Sequence, residues 1–233
     1  MTKTKSIALL LCVLFPVLIS AQEKDSLTVR FHFKFDDANL VPNNQYVSKQ
    51  NDTLQIDAFR FYVSDVAIHY ADNSILKISG SHLIDLEFTK SQKIAAGVHS
   101  QKGIKRITFA VGVDSLASVS GALSGDLDPA KGMYWAWQSG YINMKIEGKS
   151  PSCKTRKNQF QFHIGGYLKP NNALRLVAAE IPKMEMRNSS IIVNVDLAKL
   201  ADNIDLKTQN SITIPGKESM AIANLATKMF TAE

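Results

Sequence analysis

Cysteine is scarce in this sequence. Only Cys12 and Cys153 occur among its 233 residues, and Cys12 falls within an apolar stretch near the N-terminus. If that stretch is removed, a single cysteine remains, which cannot form an internal disulfide. A disulfide-stabilised scaffold is therefore excluded, and a hydrophobic core has to stabilise the fold.

A strong excess of one charge is also missing. The formal net charge is +6, and the densest basic run, residues 149–157, is interrupted by Pro151 and by polar residues. Such a run is typical of a solvated loop, so the composition argues against nucleic acid as a partner. The sequence also contains no GxSxG, no phosphate-binding glycine-rich loop and no HExxH, which leaves the common hydrolases and kinases unsupported.

The longest apolar run is too short to serve as a permanent membrane anchor. Lys3 and Lys5 precede an apolar segment over residues 7–19, and the small residues Ser20 and Ala21 follow it. A membrane span needs about 20 apolar residues, whereas this pattern is that of a secretory signal peptide. We therefore predict a signal peptide over residues 1–21, one domain over residues 22–233, export to the periplasm, the cell surface or the medium, and no stable membrane insertion.

Period-two alternation dominates the rest of the chain. In residues 27–35 every second residue is apolar, which predicts a half-buried strand. Similar segments, separated by polar turns, predict a single-domain, all-β, antiparallel β-sandwich. The further predicted strands cover residues 54–70, 75–78, 83–88, 103–113, 134–146, 159–168, 173–179 and 191–195.

Two other segments interrupt the strand pattern. Residues 114–131 are rich in Ser, Gly and Asp, which predicts a long ordered loop. Near the C-terminus, Asp196 precedes a short apolar turn, and residues 219–230 have apolar side chains at helical spacing. We predict a short C-terminal helix there.

The most unusual block of the sequence is GMYWAWQSGY, residues 132–141, which contains both tryptophans. If this block is a strand, Trp135 and Trp137 share one face, where they either belong to the core or form an aromatic platform. A second block, FQFHIGG at residues 160–166, places His163 opposite Phe160 and Phe162. A lone histidine in such a strand is either a hydrogen-bonded structural residue or a ligand.

Together these blocks resemble the MbnP-like copper-binding domain family, in the form typical of Bacteroidetes. The resemblance covers nearly all of the chain after the predicted signal peptide, including an ANLATKMF segment at residues 223–230. The blocks that carry it are FRFYVS at 59–64, SHLID at 81–85, GVD at 112–114, GMYWAWQSGY at 132–141, KIEG at 145–148 and FHIG at 162–165.

The resemblance implies an exported copper-binding protein that acquires or stores copper and catalyses no reaction. It further implies a site of two histidines and a tryptophan oxidised to kynurenine by a dihaem partner of the cytochrome c peroxidase type. Whether the protein also pairs with an outer-membrane transporter is left open by the sequence. Two imidazoles with a weak third donor favour Cu(I).

Carried over to this sequence, the resemblance gives His163 as the first metal ligand. Trp135 or Trp137 is the oxidisable residue, with a slight preference for Trp135. The second histidine is His32, with His82 in reserve. Cys153, flanked by basic residues in a predicted exposed loop, is interpreted as a bystander whose neighbours favour the thiolate.

Two alternatives remain at this stage. The first is a non-catalytic ligand-binding or adhesion module without metal, in which Trp135, Trp137, Tyr134 and Tyr141 form an aromatic platform for a sugar or peptide. The second is a copper oxidase or oxygenase. A catalytic copper site usually has more strong ligands than this sequence offers, since its five histidines lack HxH spacing.

Overall fold

The structure is a computed structural model that describes residues 26–98, 103–138, 140–182 and 190–233. The predicted signal peptide lies outside these residues, so it stays a prediction. In the described ranges no helix combines the length and the apolar character that a membrane crossing requires.

The described residues form two β-sheets. The smaller sheet contains β1 (Ser26–Phe35), β2 (Ala38–Asn39), β7 (Lys93–Val98), β13 (Ser190–Asp196) and β15 (Phe230–Ala232). The larger sheet contains β3 (Gln45–Val47), β4 (Thr53–Tyr70), β5 (Ile75–Ile78), β6 (His82–Asp85), β8 (Ile104–Val111), β9 (Tyr134–Trp135), β10 (Gly140–Lys149), β11 (Gln159–Gly165), β12 (Arg175–Glu180) and β14 (Ser211–Ile212).

Short helices connect the strands. They are α1 (Ser115–Val119), α2 (Ala198–Ala201) and α3 (Lys217–Ala226), with 3₁₀ turns at Gly125–Leu127, Pro129–Lys131, Arg156–Asn158 and Thr227–Met229. The predicted C-terminal helix is confirmed as α3. The Asp196 carboxylate accepts a hydrogen bond of 3.1 Å from the Ala198 backbone N–H at the start of α2.

The core lies between the two sheets and is rich in phenylalanine. Phe31 of β1 packs edge-on against Phe61 of β4 and Phe109 of β8, with both ring-centroid distances at 5.9 Å. Phe33 packs in the same way against Phe59 at 5.1 Å. Because side chains alternate along a strand, the residues between these phenylalanines are directed to the outer face of each sheet.

β4 is the central strand of the larger sheet. Phe61 pairs with Met144 of β10 and with Ile84 of β6, while Val63 pairs with Val111 of β8 and with His82 of β6. Since a residue has only two neighbours in a sheet, β10 and β8 lie one after the other along the edge of β4 opposite β6. β9 and β11 both pair with β10, so all three strands lie beyond this edge of β4.

The predicted all-β fold is confirmed, although two strand pairs run parallel instead of antiparallel. These pairs are β1 with β13 and β11 with β14. β7 is not among the strands predicted from the sequence, and it contains Gly97, a residue type depleted in strands. The predicted long loop, residues 114–131, contains α1 and two 3₁₀ turns and is therefore more regular than expected.

Cys153 corrects another expectation. Its side chain is buried, with only 1% of the residue exposed, and burial together with the charge of Asp52 raises the pKa of its thiol to about 11. The basic neighbours in the sequence therefore do not favour the thiolate, because desolvation disfavours the charged form more strongly.

Candidate functional site

His163 lies on the outer face of the larger sheet. In β11 the side chains of Phe160, Phe162 and Ile164 are buried, and His163 is directed to the opposite side, as predicted, with 16% of its side chain exposed. Its cross-strand neighbour is Lys145 of β10. The imidazole therefore lies on the outer face of the sheet, largely covered by its neighbours.

A carboxylate orients this imidazole. His163 Nε2 is 2.7 Å from Glu147 Oε1 on β10, and the hydrogen bond to His163 is the largest of the effects that lower the pKa of Glu147. An ionised carboxylate only accepts hydrogen bonds, so Nε2 carries the proton and donates it. In the neutral imidazole this leaves the lone pair on Nδ1, which is the arrangement found where a carboxylate orients a metal-binding histidine.

Lys145 completes the surroundings of Glu147. Its Nζ lies 3.4 Å from Glu147 Oε1 and 3.4 Å from the carbonyl oxygen of Gly132. Lys145 also contributes to the lowered pKa of Glu147. Glu147 is thus held from two sides, and its carboxylate remains charged beside His163.

Trp135 lies on the same face of the sheet as His163. Its ring occupies the space above Gly165, because a Cβ atom placed on Gly165 would lie only 2.7 Å from Trp135 Cζ3. Gly165 is two residues after His163 in β11, so both positions are directed to the outer face. The buried indole of β9 therefore packs on β11 two residues beyond His163, on the face to which the imidazole is directed.

The predicted long loop helps to bury Trp135. Trp135 belongs to a second apolar cluster, on the outer face of the sheet, which contains Tyr62, Leu83, Val113, Met133, Tyr141 and Ile142. The loop is fastened to this cluster, since the Tyr62 hydroxyl donates to the Asp126 carbonyl at 3.0 Å and the Tyr141 hydroxyl donates to the Leu127 carbonyl at 3.0 Å. Its function in the fold is to cover the aromatic block.

Trp137 has a different environment, which corrects the prediction of one continuous strand over residues 134–146. The chain forms a hairpin instead, in which Tyr134 and Trp135 pair with Tyr141 and Gly140, and the turn contains residues 136–138. Trp135 is consequently 5% exposed and Trp137 63% exposed, although their ring centroids are 6.0 Å apart. The four-ring platform is not formed, because Trp135 and Tyr141 are buried.

His32, the preferred second ligand, lies on a different sheet. It is exposed on the outer face of β1, and its Nε2 is 2.9 Å from Asn39 Oδ1. The neighbouring residues Phe31 and Phe33 fill the core between the sheets. The structure therefore places His32 and His163 on opposite outer surfaces and does not bring them together.

His82, the reserve ligand, does not share the face of His163 either. It pairs with Val63, whose side chain is in the inter-sheet core, and cross-strand partners are directed to the same side of a sheet. Its Nε2 is buried, and no hydrogen-bond partner for it occurs among the described residues. Across the same described ranges, no three His, Cys, Asp or Glu side chains form a group able to hold a metal ion.

The fit to a copper site is therefore limited to one oriented imidazole and the adjacent indole. Glu147 and Gly165 are the two contributors that sequence reasoning missed. Glu147 follows Lys145 on the polar face of β10. Its contact with His163 is predictable only when β10 is known to pair with β11. Gly165 is part of the FHIG block, but its contact with Trp135 depends on where β9 lies, which the sequence alone does not show.

Comparison with known proteins gives one family and one similar structure. The sequence model of the family described as MbnP matches residues 24–216. The fold is similar to that of MbnP from Methylosinus trichosporium, with a TM-score of 0.57 and 15% sequence identity over 78% of this chain and 79% of the other. No curated protein sequence matches the chain.

Proposed function

This chain belongs to the MbnP family, and on that premise we propose that it is an exported copper-binding protein that acquires or stores copper. The sequence pattern of residues 1–21 supports the export, and the resemblance of the aromatic and histidine blocks to the copper-binding members of the family supports the metal. In this proposal His163 is the first ligand.

The observation that carries the proposal is the hydrogen bond between His163 and Glu147. The His163 side chain is only 16% exposed, and the ionised Glu147 beside Lys145 holds its ring in one orientation. The same arrangement fixes the ring and leaves the Nδ1 lone pair available to a metal, and it raises the basicity of the ligand nitrogen. Imidazole nitrogen suits copper well.

Trp135 is the proposed oxidisable residue. An unmodified indole is a poor ligand, because its nitrogen lone pair belongs to the ring and its N–H only donates. Kynurenine, in contrast, has an aromatic amine that is able to coordinate a metal. Trp135 packs on Gly165, which lies two residues after His163 in β11. We propose a dihaem protein of the cytochrome c peroxidase type as the oxidising partner and an outer-membrane transporter as a second partner.

In this proposal the protein binds copper without catalysing a reaction. Of the three candidate histidines, only His163 lies on the face of Trp135, whereas a catalytic copper site needs several strong ligands and an open position. Few nitrogen ligands favour Cu(I).

Copper titration of the purified protein tests the proposal. We expect one Cu(I) equivalent to bind in competition with a chromophoric chelator, and His163→Ala to lower the affinity at least about tenfold. The matched control is His69→Ala, since the His69 Nε2 pairs with Thr108 Oγ1 at 3.0 Å, away from this site. Equal affinities of wild type and His163→Ala would contradict the proposal.

Peptide mass spectrometry tests the tryptophan assignment. Protein isolated from its own exported compartment is compared with protein produced without a dihaem partner. Conversion of tryptophan to kynurenine adds one oxygen atom and removes one carbon atom, and we expect this change at Trp135 only in the first sample. The same change at Trp137 would transfer the role to that residue.

A further inference from the structure

A cleft opens beside Trp137, and Trp135 is not among its lining residues. Its volume is about 470 Å³, which lies within the range of small-molecule sites. Its walls combine apolar and polar residues, namely Trp137, Tyr167, Leu168, Ile214 and Pro215 with Gln138, Gly166, Lys169 and Asn171.

Trp137 presents an exposed aromatic ring that contacts Trp135. With 63% of the residue exposed, it differs from Trp135, which is wedged against Gly165 and buried. The two rings lie 6.0 Å apart at an angle of 50°, so Trp135 supports Trp137 from the protein side. One side of the exposed indole therefore packs on a buried ring, and most of its surface is open to solvent.

The opposite wall is fixed as well. Tyr167 packs against Gly140, where a Cβ atom would lie 3.0 Å from Tyr167 Cε1, and Ser115 Oγ donates to the Tyr167 carbonyl at 3.2 Å. The backbone after it turns tightly, since the Asn171 N–H donates to the Leu168 carbonyl at 2.8 Å. A preformed cleft of this kind binds a ligand with little loss of conformational entropy.

The hydrogen-bonding groups and apolar surfaces of the lining residues indicate which class of ligand fits the cleft. Gln138 and Asn171 have side-chain amides that both donate and accept hydrogen bonds, Lys169 donates only, and the described lining contains no Asp or Glu. A sugar ring has apolar C–H faces that stack on an aromatic ring and hydroxyl edges that both donate and accept. A fatty acyl chain matches only the apolar part of such a cleft.

We propose that this cleft binds a pyranose ring of an oligosaccharide, stacked on Trp137 and hydrogen-bonded by the side chains of Gln138, Lys169 and Asn171. This site is distinct from the proposed copper site as assigned to Trp135, because its lining contains Trp137 but neither Trp135, His163 nor Glu147. Sugar binding and copper binding are consequently testable one without the other.

The test is calorimetric and fluorescence titration of the metal-free protein with cellohexaose, chitohexaose and hexagalacturonate. We expect saturable binding of at least one of these probes with a change in tryptophan emission. Trp137→Ala should weaken this binding about tenfold or more, and Trp137→Phe should weaken it less, because a smaller ring remains. His163→Ala should bind the sugar like wild type.

The matched control is Leu176→Ala, which removes a 76% exposed apolar side chain that does not line the cleft. Its affinity should equal that of wild type, and thermal unfolding of all variants shows that each is folded. The proposal is overturned if none of the three probes binds, or if Trp137→Ala binds as tightly as wild type. Sedimentation with anionic phospholipid vesicles that depends on Trp137, without sugar binding, would identify a membrane surface instead.

Discussion

Trp135 and Gly165 form a matched pair, in which the indole occupies the space that any other residue at position 165 would need. A Cβ atom there would lie 2.7 Å from Trp135 Cζ3 and 2.8 Å from the Tyr141 carbonyl oxygen. The backbone carbonyl has no freedom to move, since Tyr141 lies in a hairpin that pairs with β9. The glycine thus fixes the distance between the aromatic block and β11.

Gly165→Ala is predicted to destabilise the protein by about 1–3 kcal/mol, because the added methyl group overpacks a rigid contact. Urea unfolding measures this loss, and Trp135 emission should shift as the indole is displaced. Gly103→Ala is the control, since its Cβ atom would meet Ala71 Cβ at an ordinary 3.7 Å. Equal stabilities of the two variants would contradict the close packing of Trp135.

Glu147→Ala is predicted to lower copper affinity about 10- to 100-fold, the usual effect of removing the carboxylate that orients a metal-binding histidine. The measurement is chelator competition at constant pH. Asp57→Ala serves as control, because Asp57 pairs with Lys149 at 3.3 Å and makes no contact with His163. If Glu147→Ala and Asp57→Ala bind copper alike, Glu147 has no part in the site.

His32→Ala is predicted to leave copper affinity unchanged, although the sequence suggested His32 as the second ligand. The reason is its position on the outer face of the smaller sheet, with the phenylalanine core between it and His163. Chelator competition is again the measurement. A tenfold loss would mean that copper is bound in an arrangement of the sheets different from the one described above.

Cys153 is predicted to be unreactive in the folded protein. Its thiol is buried and its pKa is raised to about 11, mainly by desolvation. A thiol reagent with a coloured product should therefore modify it at pH 8 only after unfolding. Rapid modification without denaturant would show that the thiol is accessible.

The same thiol makes stability depend on pH at the alkaline end. The unfolded thiol loses its proton near pH 8.5 and the folded one near pH 11, so the folded state binds more protons between these values. The free energy of unfolding should consequently fall as the pH rises through this window. Cys153→Ala should remove this contribution, which urea unfolding at several pH values measures against wild type.

The sequence predicted those features that depend on local alternation alone. The strand at 27–35, the strand at 54–70 and the direction of His163 away from Phe160 and Phe162 all follow from a period of two, which requires no knowledge of neighbouring strands. For the same reason the all-β class was predictable.

Features that depend on which strands become neighbours were not predictable in this way. Whether His32 and His163 share a face depends on their belonging to different sheets, and whether Glu147 reaches His163 depends on the pairing of β10 with β11. The hairpin turn at 136–138 does have a local signal, since the turn dipeptide Ser139-Gly140 follows it, but the alternation of Trp135 and Trp137 favoured a strand instead.

The parallel pairing of β1 with β13 also determines the order in which the molecule is completed. Thr28 pairs with Ser190 and Lys34 with Asp196, whereas the other edge of β1 is covered by β2 and β7. A newly made chain therefore presents the β13-side edge of its first strand unpaired until residues 190–196 have been synthesised. Contacts between such distant segments slow folding, and an open edge invites association with other chains. The first strand in the chain is thus among the last to be paired along both edges, because its partner β13 lies more than 150 residues later.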